Sequence, residues 1–470
     1  MHQKFGGAAV RAVAAGAVGI AGLVLAQTAL AAARTTVAVP CSTTALAADV
    51  GGAVSGETLK LAAACTYDLT SALPTLTVNL TIQGNHATLE RSSVTGTPEF
   101  ALLTVGGSAA DSSSTLVMNN VNVRNGDPGI WLYNGALTVR GGTFSGNTTA
   151  IVNDYKSNLT VTGATFSDNA GGYGAIQAGG NSSVSYSTFT GNSAEQGAAI
   201  NIVSGTQTVS HCKFTDNTAT AGGGALHNSA DATVTDSTFT GNSAGGGGAI
   251  DNFNSSNATL TVTGSRFASN SAQAAGGAIY NYDGATLTGD TFYKDRASLG
   301  GAFYNDWYAT TGTDVFSHDA ATSDGGAIYS DQSTTDNGST FTADTATTDG
   351  GAFYISPPFS GGTWGLSITG GSIQGGRAGT DGGAVYNGSG STSSVRLSGT
   401  ALARNSPDNC APAGSVAGCT ASTGAVRRTL SVRSVPSHHG GRIPRFERPL
   451  PPAGRAPQLR GQAPRREPGP

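Results

Sequence analysis

Three aspartates, Asp295, Asp319 and Asp344, stand 24 and 25 residues apart, and Lys294 and Arg296 flank the first of them. Carboxylates brought close together repel unless water, a shared proton or a bridging cation relieves the charge. With a basic side chain beside them, such acids can hold calcium and take a proton from a substrate. Asp324, Asp349 and Asp381 add further acids, each just before a Gly-Gly pair. A plainer reading competes, in which Asp occupies solvated turns, where it is common. A second candidate set is aromatic: Tyr280, Tyr304, Tyr329, Tyr354 and Tyr386, with Tyr282, Trp307 and Tyr308 close by. Aligned on an outer face, such rings could grip sugars or a protein partner, or only brace a sheet.

These spacings belong to a repeat that runs through the body. Phe-x-x-Asn recurs at Phe144, Phe166, Phe189, Phe214, Phe239 and Phe267, and as Phe-x-x-Asp at Phe292, Phe316 and Phe341, in steps of 22 to 28 residues. Gly-Gly-Ala followed by a large apolar residue falls between them, as at Ala249-Ile250, Ala302-Phe303 and Ala352-Phe353. Val161, Val184, Val209, Val234, Val262 and Leu287 precede their Phe by five residues. Each repeat thus carries three short apolar segments separated by Gly, Ser, Asn or Asp, which is the pattern of strands and turns. No such segment buries its apolar side alone. Equivalent segments stacked at about 4.8 Å give parallel sheets around one continuous core. The spacing therefore predicts a right-handed parallel β-helix, all-β, with three short strands and about 25 residues per coil. Asn columns at strand spacing can hydrogen-bond along the stack. The tyrosines follow an inward apolar residue, so alternation sends them outward.

On these tetrapeptides the chain resembles the polymorphic outer-membrane protein repeat family, and more broadly the secreted right-handed β-helix proteins of the pectin-lyase-like type. The resemblance covers about 142–405. It implies a β-helix, a fold that hosts lyases, hydrolases, adhesins and other surface proteins. In the lyase reading, which is pectate-lyase-like, Asp295, Asp319 and Asp344 hold calcium and abstract a proton from an acidic polysaccharide. The autotransporter members of the family end in a translocating barrel, whereas this chain ends in a Pro/Arg-rich stretch.

Glycine supplies 69 of the 470 residues, roughly twice the usual share, and turn-rich repeats account for it. Residues 1–33 read as an export signal, with Lys4 and Arg11 before an apolar run and Ala29 to Ala33 as a cleavage zone. Residues 34–140 read as a cap and irregular first coils, 141–409 as regular repeats, and 410–423 as a disulfide-closed end. Residues 424–470 carry a net charge of +8 and nine prolines, the composition of a disordered arm. The segment 34–423 is left at −14, although the whole chain sums to −4. Such an acidic body excludes nucleic acid as its partner. In an exported chain Cys41 with Cys65, and Cys410 with Cys419, read as two end disulfides, and Cys212 as a small turn or core residue rather than a nucleophile. No hydrolase elbow, Walker loop or dinucleotide fingerprint is present. The expectation is a secreted, monomeric, non-catalytic scaffold, adhesin-like or polymer-binding, without a cofactor. The alternative is the calcium-assisted lyase.

Overall fold

In the structure, a computed structural model, residues 35–107, 114–253, 258–357, 365–389 and 394–420 are described. The export signal and the basic arm read from the sequence lie outside them. The described chain is a right-handed parallel β-solenoid of about 14 turns, with about 25 residues per turn and almost no helix. Its strands stack into sheets of 15, 14 and 13 members, called here the first, second and third, and a shorter fourth sheet of eight. One coil passes through Gly284–Thr288 in the first sheet, Thr291–Tyr293 in the second, Arg296–Ala297 in the fourth and Phe303–Asn305 in the third.

The repeat positions stack in register. Phe144, Phe166, Phe189, Phe214, Phe239, Phe267, Phe292, Phe316 and Phe341 occupy one column of the second sheet. Their rings stack with centroids 4.5 to 5.0 Å apart, and every one is buried. This spacing follows from the strand separation, so the backbone ladder and the aromatic stack reinforce each other. Inward Val161, Val184, Val209 and Val234 face the stack from the first sheet, and Ile250, Ile279, Phe303 and Ile328 from the third.

The corners explain the glycines unevenly. Between the first and second sheets the chain turns on one left-handed residue, which is Gly163 in one coil and Tyr186, His211 and Asp236 in the next three. Glycine is convenient there but not required. At the Gly-Gly pair before the third sheet it is required. Gly300 has φ +60°, and a Cβ on Gly301 would stand 2.1 Å from the Gly326 carbonyl oxygen of the next coil.

One helix, Thr43–Gly51, has no counterpart in the strand reading of the early residues. Ser42 caps it by accepting from the Ala45 N–H, and Leu46 and Val50 are buried. It packs on the edge strands Thr36–Val39 and Thr66–Leu69, covering the open end of the solenoid. Cys41–Cys65 ties this end, and Cys410–Cys419 the other.

Candidate functional site

The recurrent Asn and Asp residues form an internal ladder at the corner after the second sheet. Asn169 Oδ1 accepts from the Asn147 backbone and side-chain N–H groups at 3.1 and 2.9 Å, and Asn169 Nδ2 donates back to the Phe144 carbonyl at 3.0 Å. Asn192, Asn217, Asn242 and Asn270 repeat this pattern. Asp295, Asp319 and Asp344 continue it: their Oδ1 atoms accept from the backbone N–H of Asn270, Asp295 and Asp319 at 2.7, 2.8 and 3.0 Å. All three aspartates have zero exposure.

This placement corrects both readings of that column. The aspartates are not in solvated turns, because they occupy the position where Asn closes the core. They also do not face a groove, and their Oδ1 atoms are already engaged by backbone donors. Lys294 and Arg296 do not join them, since both are exposed and Lys294 lies over the Tyr293 ring. Burial pushes the Asp295 carboxyl up to about 7 and that of Asp344 to about 8. Asp319, between two other acids, is raised well above the usual value by burial and then by Asp344 and Asp295. The Oδ2 atoms of Asp295 and Asp344 meet no hydrogen-bond partner. Where Asn donates to a carbonyl an ionised carboxylate has no hydrogen to offer, so the protonated form fits the ladder.

A parallel ladder closes the corner before the second sheet. Cys212 N–H donates to Ser237 Oγ at 3.1 Å, Ser265 N–H to Asp290 Oδ1 at 2.6 Å, and Asp290 N–H to Asp314 Oδ1 at 2.7 Å. Cys212 is a buried, unpaired thiol in this series, and burial pushes it up to about 11.

The outward face of the third sheet carries a different column. Register aligns Gln177, Asn201, His227, Asp251, Tyr280, Tyr304, Tyr329, Tyr354 and Tyr386 in successive coils. The five tyrosine rings stack at centroid distances of 4.8 to 5.3 Å. They point away from the core, yet Tyr304 is only 7% exposed and the others are half-buried. The strip is therefore recessed rather than prominent. Trp307, on the connection to the first sheet, and Tyr308, the first residue of the strand it leads into, are 43% and 50% exposed and lie edge to face.

Acids border the tyrosines. Tyr304 Oη donates to the Asp331 carboxylate, and Ser356 bonds to both Tyr329 and Asp331. Asp324, Asp349 and Asp381 form a ladder of their own, with Asp349 N–H on Asp324 Oδ1 at 3.0 Å and Asp381 N–H on Asp349 Oδ1 at 3.1 Å. Burial first, and then Asp306, Asp251 and Asp331, raise Tyr280 well above the usual phenol range. Burial with Asp324 and Asp349 does the same to Tyr354. These phenols keep their protons, and Tyr304 uses its own to hold Asp331.

At the other end of the column His227 Nδ1 lies 2.9 Å from Asp251 Oδ2, and His227 Nε2 lies 3.0 Å from Ser229 Oγ. This constellation is missed when motifs are sought within one stretch of chain. Its only signal is the alignment of Gly-Gly-Ala-Leu-His227 with Gly-Gly-Ala-Ile-Asp251, which makes the two side chains neighbours one coil apart. Among the described residues no group of three His, Cys, Asp or Glu side chains converges as a metal site.

Comparison with known proteins bears on the fold. Residues 78–246 match the family model described as a right handed beta helix region. No curated protein matches. Among solved structures the chain is similar to the crystal structure of tailspike protein 3 of bacteriophage CBA120, with a TM-score of 0.43 and 12% identity. The match covers 78% of this chain and 58% of the tailspike chain. Family model and coil geometry agree on a right-handed β-helix fold for this chain.

Proposed function

We propose that this is an exported β-helix scaffold of the polymorphic outer-membrane protein repeat type, which binds a carbohydrate polymer along the outer face of its third sheet. The observation that carries the reading is the recessed tyrosine strip, five rings long and bordered by carboxylates. Aromatic faces pack on sugar rings, and flanking carboxylates accept hydrogen bonds from hydroxyls. A strip lined by Asp306, Asp324, Asp331 and Asp349 on a body of −14 repels polyanions. The reading therefore specifies neutral or amino-sugar polymers and not the uronic-acid polymers of the lyase alternative. That alternative also loses its residues, because Asp295, Asp319 and Asp344 are enclosed. Export accords with the two disulfides. No helix among the described residues is long and apolar enough to cross a membrane. Adhesion to a glycan-coated surface is the role that such a scaffold serves.

A glycan array tests the proposal. Wild-type protein is expected to bind neutral or amino-sugar oligomers, and Tyr304→Ala with Tyr329→Ala is expected to lose that binding. Equal binding by both proteins, or binding confined to uronic acids, refutes it.

A further inference from the structure

We propose that Ser229, His227 and Asp251 form a nucleophilic relay that hydrolyses carboxylic esters, such as small acyl groups carried on the hydroxyls of a polymer. This goes beyond the binding proposal and does not depend on it. The order of groups is the one that acyl transfer needs. With Asp251 Oδ2 accepting from Nδ1–H at 2.9 Å, Nε2 presents its lone pair to the Ser229 hydroxyl at 3.0 Å. His227 lies on the strand Leu226–Asn228 and Ser229 follows at its end, where the chain bends and leaves the hydroxyl within reach of the ring, while Asp251 is the register partner of His227 in the next coil. Ser229 Oγ also lies 3.1 Å from the Phe253 carbonyl. The hydroxyl can therefore rotate between that resting bond and the productive one.

Two features separate this cluster from the structural ladders. The first is that its exposure is graded: Asp251 and His227 are 6% and 5% exposed, whereas Ser229 is half-buried and can be reached. Room for the acid comes from Gly222, where a Cβ would stand 2.0 Å from Asp251 Oδ2. The second is that it does not recur. The positions of His227 and Ser229 hold Asn201 and Val203 one coil earlier, and Asp251 and Phe253 one coil later. A device needed by every coil is copied like the Phe and Asn columns, and this one is not.

In the reaction Ser229 Oγ bonds to the acyl carbon as its proton passes to His227 Nε2. The ester C–O bond then breaks, and the same proton goes to the departing alcohol. Water, deprotonated by Nε2, attacks the acyl-serine and releases the carboxylic acid with Ser229 restored. The sum is ester plus water giving acid plus alcohol.

The test uses the full chain with 4-nitrophenyl acetate and, separately, with diisopropyl fluorophosphate followed by peptide mass mapping. The expected results are a phosphoryl adduct on Ser229 and hydrolysis that falls about 100-fold or more in Ser229→Ala and His227→Ala. Asp251→Asn is expected to lower kcat while KM stays within about twofold, the signature of an orienting rather than a merely structural role. The adduct map on wild type decides the matter even if a variant fails to fold. No adduct on Ser229, or an unchanged rate in a folded Ser229→Ala protein, overturns the proposal. Because the probes are small, failure here leaves the polymer-binding proposal standing, and the reverse also holds.

Discussion

Replacing Asp295 with Asn is expected to stabilise the solenoid above neutral pH and to change little in acid. The perturbation extends the amide ladder by one rung, since Asn270 already donates to Oδ1 of residue 295 from both its nitrogens. A carboxyl in the unfolded chain titrates near 3.8, whereas burial raises that of folded Asp295 to about 7. Between those values the folded chain keeps a proton that the unfolded chain has released. The contribution of Asp295 to stability is therefore fully present below pH 3.8 and is lost as pH rises through the window up to about 7. Three units correspond to roughly 4 kcal/mol at 1.36 kcal/mol per unit. Asp290, raised to about 7, and Asp314, raised to about 6, act in the same direction, so the variant keeps a shallower slope rather than none. Urea unfolding followed by circular dichroism in acid and in mild alkali gives the comparison. The variant is expected to gain about 2 to 4 kcal/mol in alkali and less than about 1 kcal/mol in acid. Wild-type stability that is flat across this range, or an equal gain at both ends, refutes the buried, protonated ladder.

Other consequences follow from packing and cross-links. Phe239→Ala opens a cavity in the middle of the ring stack and is expected to cost about 3–5 kcal/mol, read as a lower urea midpoint. Cys41→Ser with Cys65→Ser frees a loop of 24 residues and is expected to cost about 3 kcal/mol, most visibly as early exchange of amides in Glu57–Leu61. Cys212, buried and raised to about 11, is expected to resist iodoacetamide in native buffer and to react fully in guanidinium, as mass spectrometry will report.

Much of the architecture was legible because the solenoid converts periodicity directly into columns. Phe144 to Phe341 and Asn147 to Asn270 repeat at coil spacing, and each column is one line of contacts in space. The fourth sheet was not legible, since segments such as Arg296–Ala297 and Ser193–Gln196 are short and lack an apolar alternation. The direction of the tyrosines could be read from alternation, but their burial could not, because exposure depends on how far neighbouring connections rise. The Asp column was misplaced for a physical reason: Asp and Asn have the same shape, so a carboxylic acid can stand inside the ladder where its charged form would belong in solvent. The pairing of His227 with Asp251 exists only through register between coils, which no local motif encodes.

On the proposed function the tyrosine strip is the polymer-binding surface. Hydroxyl-radical footprinting of the full chain, with and without the best glycan from the array, tests it most directly. Protection is expected at Tyr280, Tyr304, Tyr329, Tyr354, Tyr386 and Trp307, with Tyr155, Tyr173 and Tyr186, exposed elsewhere on the surface, unchanged. Protection confined to Tyr155, Tyr173 or Tyr186 while the strip reacts as before would contradict it.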